Sequence, residues 1–142
     1  MSGDSSSPSE VALAYLASFD SRDPDIIAAY VSDGFVNEHA AAFGSGCVGR
    51  EAYRERLPGF LVSMPGLHYA VESTVADSSE VAVFYVMTGR WQGAAPFEIR
   101  GAQLLKIVDA EITQRTDYWD GAEFLLQVDT AAAASLRELG LG

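Results

Sequence analysis

A charged pair lies inside a segment that otherwise has the composition of a β-strand. Residues 112–119 read ITQRTDYW, where β-branched and aromatic residues dominate. Within it stand Arg115 and Asp117, and side chains two positions apart on a strand point to the same face. If that face lines a cavity, Asp117 is placed to act as a general acid or base on a bound molecule. If it faces solvent, the two residues form a surface ion pair of little energetic value.

The role of Arg115 stays open on the sequence alone. Its planar guanidinium suits a substrate carboxylate or enolate, and it suits equally well the task of orienting Asp117. An apolar wall favours the neutral form of a carboxyl group, whereas a neighbouring arginine favours the charged form, so the protonation state of Asp117 is open too. Strict alternation places Thr113 and Trp119 on the same face, and a tryptophan there is more often a packing residue than a ligand platform.

Three more polar side chains stand among apolar neighbours. Asn37 and His39 are two residues apart at the end of an apolar stretch, so they share one face. They either line the mouth of a pocket or cap a loop. Gln103 lies in the apolar run GAQLLK, where a buried amide needs partners, and it is either a pocket donor or a satisfied structural amide.

Helix-start signals position the first part of the chain. Ser7, Pro8 and Glu10 form a capping box with proline at the first helical position. Tyr15 lies on the apolar face of that helix, where the interpretation as a core aromatic is favoured over a substrate contact. The later elements follow in order: a second helix from Pro24 broken at Asp33-Gly34, a short strand 35–38, a loop 39–49, and a helix 50–64 that Pro58 should kink or split.

The second part of the chain reads as strands over 67–76, 80–91, 97–108 and 112–119. Leu67, Tyr69, Val71 and Val75 are predicted to share a face, and Asp109-Ala110 to form a tight turn. Asp120 then caps a short helix over residues 121–127. Helices segregated to one side of an antiparallel sheet define an α+β fold, and a curved sheet with helices over its concave face encloses a small-molecule pocket.

Length and charge exclude several classes of function. The chain has 142 residues, which suits one domain, and its net charge of −11 argues against nucleic acid and anionic membrane partners. It has no apolar run of about 18 residues for a membrane span and no N-terminal secretory pattern. One cysteine allows no internal disulfide, which favours the cytoplasm, and with two histidines it makes a metal site of the His/Cys type improbable.

The element order and three stretches resemble the nuclear-transport-factor-2-like superfamily, and within it the SnoaL-like polyketide cyclases. The stretches are AYLASFDSRDPDIIAAYVSDGFVNEH (14–39), GREAYRERLPGFL (49–61) and LLKIVDAEITQRTDYWDGAEFLLQ (104–127). The resemblance covers residues 9–128. It implies a cone-shaped antiparallel or mixed sheet with three N-terminal helices over the concave face. Residues 1–8 are then a disordered tail, and residues 129–142 a tail that is either helical or frayed.

The resemblance also implies roles for single residues. Asp117 falls where these cyclases place the general acid or base of an intramolecular aldol closure, and Asn37 matches an asparagine on the first strand. The family histidine fourteen residues before the aspartate is replaced here by Gln103, which can hydrogen-bond an enolate but cannot protonate it. The related epoxide hydrolases need an Arg and a second Asp on the middle strand, and VAVFYVMT (81–88) has neither.

On these grounds we expect cofactor-independent proton transfer on a hydrophobic ketone, giving cyclisation or isomerisation. Asp117 and Gln103 are the predicted catalytic residues, with Asn37, His39, Arg115, Trp119 and Tyr15 around the substrate. The resemblance further implies a homodimer formed through the outer face of the sheet. The alternative is a non-catalytic domain that binds a hydrophobic ligand or serves as a dimerising scaffold.

Overall fold

A six-stranded sheet with helices on its inner face makes up the computed structural model, which describes residues 6–40 and 45–142. The helices are α1 (Pro8–Ser18), α2 (Pro24–Ala28), α3 (Arg50–Ser63), α4 (Gly121–Val128) and α5 (Thr130–Glu138), with a 3₁₀ helix at Phe19–Ser21. The strands are β1 (Val31–His39), β2 (Cys47–Val48), β3 (His68–Ala76), β4 (Glu80–Trp91), β5 (Ala95–Val108) and β6 (Glu111–Trp119). The predicted α+β fold is confirmed, and none of the described helices is long and apolar enough to cross a membrane.

The strand order is β2-β1-β6-β5-β4-β3, so the last strand of the chain lies beside the first long one. β1 runs parallel to β6, whereas the described partners of β2, β3, β4 and β5 are antiparallel. The sheet is therefore mixed. Because β6 is central and pairs on both edges, its inward side chains have neighbours on β1 and on β5.

Capping residues set the helix starts that the sequence predicts. The Ser7 hydroxyl accepts a hydrogen bond from the Glu10 amide at 3.2 Å, and the Glu10 carboxylate accepts one from the Ser7 amide at 2.9 Å. Asp120 likewise accepts from the Ala122 amide at 2.9 Å. Residues 1–5 of the predicted disordered tail, and residues 41–44 of the predicted loop 39–49, lie outside the described residues.

Two boundaries near β1 differ from the sequence prediction. The second helix ends at Ala28, and β1 begins at Val31, so Asp33-Gly34 lies within a strand instead of breaking a helix. The partner strand explains this, because Val31 pairs with Ile112 and a β-bulge then separates that pair from the Val36–Gln114 pair. α3 runs through Pro58 as one helix and is not split there.

The strand β3 departs from its predicted face. Leu67 and Tyr69 are buried, but Val71 and Val75 are 38% and 67% exposed. A register shift between Val71 and Ser73 interrupts the alternation, and β3 is one of the two edge strands of the described sheet. Beyond the shift, all of its residues are exposed.

One core fills the space between the sheet and the helices. α1 packs across β3, β4, β5 and β6, and α3 packs on β1. Aromatic side chains from both layers meet edge to face, among them Phe19 with Tyr69 at 5.2 Å and Tyr69 with Tyr85 at 4.9 Å between ring centroids. On the opposite face, Phe84 and Tyr118 lie in one cross-strand row and are 42% and 48% exposed. The homodimer through that outer face stays a prediction.

Candidate functional site

Strand pairing brings the predicted polar residues into two adjacent rows on the inner face. His39 pairs with Asp117 across the parallel β1–β6 ladder, and Asp117 pairs with Gln103 across β6–β5. One step away, Asn37 pairs with Arg115. The i, i+2 spacing on β1 and β6 thus puts five polar side chains from three strands side by side in a largely apolar interior.

A cavity of about 100 Å³ opens in front of these rows. Four of the five residues line it, namely Asn37, His39, Arg115 and Asp117. The facing wall is largely apolar and contains Phe19, Leu57, Phe60 and Met64 from the helical layer, while Met87 on β4 adds an apolar side chain from the sheet. Unbranched methionine side chains adapt to the shape of a ligand, so this wall can adjust to an occupant.

The Arg115–Asp117 ion pair forms the cavity floor. The Arg115 Nε atom donates to both Asp117 carboxylate oxygens, at 3.0 and 3.1 Å, and its Nη2 atom donates to Oδ1 at 2.8 Å. Arg115 is 6% exposed and Asp117 is 2% exposed. Burial alone would lower the pKa of Arg115, but Asp117 and the surrounding tyrosines raise it well above its usual value. The solvent-facing alternative for this pair is therefore wrong.

Two tyrosines extend the hydrogen bonding of Arg115 into the helices. The Arg115 Nη1 atom donates to the Tyr15 hydroxyl at 2.7 Å, and that hydroxyl is hydrogen-bonded to the hydroxyl of Tyr53 on α3. Burial raises the pKa of Tyr15, and raises that of Tyr53 well above the usual value, although Arg115 opposes both shifts. Both phenols are therefore neutral at physiological pH.

His39 lies beside Asp117 at the edge of the cavity. Its Nε2 atom is 3.7 Å from Asp117 Oδ2, and its side chain is 18% exposed. Burial lowers the pKa of His39; Asp117 raises it, while Arg115 and Arg56 lower it further. The imidazole is thus held largely neutral, in the form that can accept a proton.

Among the described residues, two carboxamides in the rows have atoms without a hydrogen-bond partner. Gln103 is fully buried, and neither its Nε2 nor its Oε1 atom has a hydrogen bond of acceptable geometry, although its side chain approaches the Tyr85 hydroxyl. The Oδ1 atom of Asn37 is unpartnered as well. Gln103 does not line the cavity, whereas Asn37 does, so Asn37 is the carboxamide within direct reach of an occupant.

The remaining predicted residues divide between cavity and core. Trp119 lines the cavity. Tyr15 is fully buried behind it and contacts Arg115, so it supports the floor. Thr113 is not on the predicted face, because a bulge in the β5–β6 ladder shifts the register from Lys106–Gln114 to Ile107–Ile112. Ile112 takes the buried position instead.

The side chains lining the cavity that the sequence analysis does not assign to the site include Tyr53, Arg56, Tyr69 and Tyr85. Tyr53 repeats with Leu57 and Leu61 at helical spacing, and Tyr69 and Tyr85 each lie between exposed or partly buried residues on a strand. Both patterns are typical of core residues, so neither marks a cavity. The Tyr85 ring lies against Gly101 on β5, where a Cβ would lie 2.8 Å from the Tyr85 hydroxyl, so the glycine leaves room for this ring. No local signal marks Arg56, which donates to the Ser45 and Gly46 carbonyls at 3.0 and 2.7 Å.

A family model described as SnoaL-like polyketide cyclase matches residues 9–128. A comparison with the curated proteins finds no sequence match. The match to the family model has the boundaries that the resemblance predicts and accounts for the main body of the fold.

Solved structures with the same fold belong to proteins of diverse description. A hypothetical protein with ketosteroid isomerase-like fold from Catenulispora acidiphila, in complex with trimethylamine, has a TM-score of 0.80 and 22% identity, covering 90% of this chain and 98% of that one. A putative SnoaL-like polyketide cyclase from Jannaschia sp. has a TM-score of 0.75 and 15% identity, covering 90% and 99%. An LEH-like epoxide hydrolase from M. tuberculosis has a TM-score of 0.73 and 18% identity, covering 91% and 94%.

Proposed function

Because the chain belongs to the SnoaL-like polyketide cyclase family, we propose that it is a small-molecule enzyme that transfers a proton next to the carbonyl group of a hydrophobic ketone, without a cofactor. The observation that carries the proposal is the placement of Asp117, a buried carboxylate in the floor of a cavity whose facing wall is apolar. Proton transfer by a positioned side chain is the chemistry that this arrangement supports.

The charges around the cavity suit an enolate intermediate. Removing a proton next to a carbonyl moves an electron pair onto the carbonyl oxygen, which then needs hydrogen-bond donors. Asn37 and Tyr53 line the cavity and carry such donors, and the Arg115 guanidinium lines the same cavity as a fixed positive charge. Preorganised donors in a site that excludes water stabilise developing charge strongly. The same intermediate serves an isomerisation or an intramolecular ring closure.

Hydrogen exchange on a simple ketone tests the proposal directly. β-Tetralone is dissolved in deuterium oxide with the purified protein, and loss of the proton signals next to the carbonyl is followed by NMR. We expect the protein to accelerate exchange above the buffer rate, and Asp117→Asn to remove at least about 100-fold of that acceleration. Asp25→Asn, which changes an exposed carboxylate bound to Arg54, is the control and should leave the rate unchanged.

Folding of the variants is checked by circular dichroism, and Asp117→Glu is added because it keeps the charge and moves the carboxylate. A protein that binds β-tetralone, seen as a shift of its aromatic NMR signals, but does not accelerate exchange would contradict the proposal. That result would support the alternative of a non-catalytic binding domain.

A further inference from the structure

The oxygen atoms of Asp117 are already engaged in the structure. Three hydrogen bonds from Arg115 reach them, at 2.8 to 3.1 Å, and the pair is almost fully buried. If Asp117 took a proton from a substrate, the buried Arg115 cation would lose its counter-ion, and an uncompensated buried charge is costly. Asp117 is therefore better suited to remain a carboxylate through the reaction than to pick up and release the proton itself.

His39 has the opposite arrangement. The Asp117 carboxylate lies 3.7 Å from Nε2 and favours the tautomer in which that nitrogen carries the hydrogen. Nδ1 then holds the free lone pair, and this buried atom has no hydrogen-bond partner among the described residues. The contact with Asp117 is longer than a hydrogen bond, as is common in unliganded sites where such contacts tighten when substrate binds.

The charged groups that face His39 tune it for accepting a proton. Arg115 and Arg56 oppose a further positive charge on the ring, and Asp117 favours one; with burial as the largest influence, the pKa of His39 is lowered. The neutral ring is thus the resting form. When the ring becomes charged, the Asp117 carboxylate is next to it and stabilises the imidazolium.

We propose that His39 is the residue that takes the proton from the substrate and gives it back, and that Asp117 is its positioning partner, kept charged by Arg115. This inference rests on the proton transfer proposed above and assigns the reacting atom within it. The bond between hydrogen and the carbon next to the carbonyl breaks, and the proton passes to Nδ1 of His39. The electron pair passes to the enolate oxygen. Return of the proton from Nδ1 to a carbon of the product restores the neutral ring.

The exchange of β-tetralone protons in deuterium oxide is measured for His39→Gln, His39→Ala and His68→Gln. His39→Gln keeps an amide beside Asp117 but no base, and we expect it to lose at least about 100-fold in rate. Added imidazole should restore part of the rate to His39→Ala and none to Asp117→Asn. His68 is the only other histidine and pairs with Asp20 at the surface, so His68→Gln is the matched control and should keep the wild-type rate.

Ring nitrogen NMR supplies a readout that does not depend on activity. With two histidines in the chain, comparison with His68→Gln assigns the signals of His39. We expect a protonated Nε2 and an unprotonated Nδ1 at neutral pH, and a midpoint of titration below the ordinary value of 6.5. The exchange rate of the wild type should fall with the same midpoint as the pH is lowered.

Two outcomes overturn the assignment of His39 while leaving the proposed function standing. In the first, the wild type accelerates exchange and His39→Gln does so at the same rate, which makes Asp117 the direct base. In the second, the neutral His39 ring carries its proton on Nδ1 instead of Nε2. Absence of exchange in a wild type that binds β-tetralone is the separate result that removes the proposed function, and this inference with it.

Discussion

The molecule contains two histidine–aspartate pairs in contrasting surroundings. His68 and Asp20 lie at the surface with Nδ1 and Oδ1 2.9 Å apart, and both side chains are 53% exposed. His39 and Asp117 lie at the cavity with Nε2 and Oδ2 3.7 Å apart, and their side chains are 18% and 2% exposed. The shorter contact is therefore the exposed one. Distance alone would therefore select the pair that lies outside the cavity.

Burial and further partners distinguish the cavity pair. Water screens the charges of an exposed pair, which keeps its energetic value low. At the cavity, Asp117 is hydrogen-bonded to Arg115, Arg115 to Tyr15, and Tyr15 to Tyr53. These bonds form a buried chain of side chains that runs from the sheet to α1 and α3. His39 lies next to Asp117, at the sheet end of this chain. Hydrogen bonds in such a chain are interdependent, and removing one member affects the others.

The largest expected effect on stability comes from changing Arg115, which carries the buried positive charge. Arg115→Met leaves the Asp117 carboxylate buried without its counter-ion, and we expect the free energy of unfolding to fall by about 3–5 kcal/mol. Urea denaturation followed by circular dichroism measures it. The control Arg54→Met breaks the 2.6 Å pair with Asp25 at the surface and should cost less than about 1 kcal/mol. Equal losses in the two variants would remove the contrast between buried and exposed pairs.

A smaller effect is expected one step further along the buried chain. Tyr15→Phe removes the hydroxyl between Arg115 and Tyr53 and leaves a buried donor without its partner, at a cost of about 1–3 kcal/mol in the free energy of unfolding. Tyr118→Phe is the matched control on the outer face, where the side chain is 48% exposed and the change should stay within about 0.5 kcal/mol. If Tyr15→Phe is as stable as the control, the stabilising chain of hydrogen bonds ends at Arg115.

The sequence predicts the parts of this site that depend on local geometry. Arg115 and Asp117 share the inner face as predicted, because the β6 ladder is regular from Gln114 to Trp119. The same rule fails for Thr113, because the bulge beside it is set by the partner strand β5. Capping residues locate helix starts for the same local reason, whereas the start of β1 at Val31 depends on its pairing with β6.

The contacts that define the site are not local. His39 meets Asp117 only because β1 and β6, far apart in the chain, pair in parallel with that register. Tyr53 and Arg56 come to the cavity from α3, where their spacing fits an ordinary amphipathic helix. The resemblance identifies the family and highlights Asp117. Only the folded chain shows that Arg115 engages the carboxylate and that Nδ1 of His39 has no hydrogen-bond partner among the described residues.

The pH dependence of stability gives the smallest expected effect and depends on the burial of His39. Burial lowers the pKa of His39 in the folded state below its ordinary value of 6.5, so under acidic conditions the unfolded chain binds more protons at this residue than the folded one. Its contribution to stability is complete above pH 6.5 and is lost as the pH falls below it. Urea denaturation at about pH 7.5 and about pH 5.5 measures this. His39→Gln should lose less stability on acidification than the wild type, because it lacks the buried ring that the unfolded chain protonates more readily. A variant that loses as much stability as the wild type would show that the sensitive group lies elsewhere.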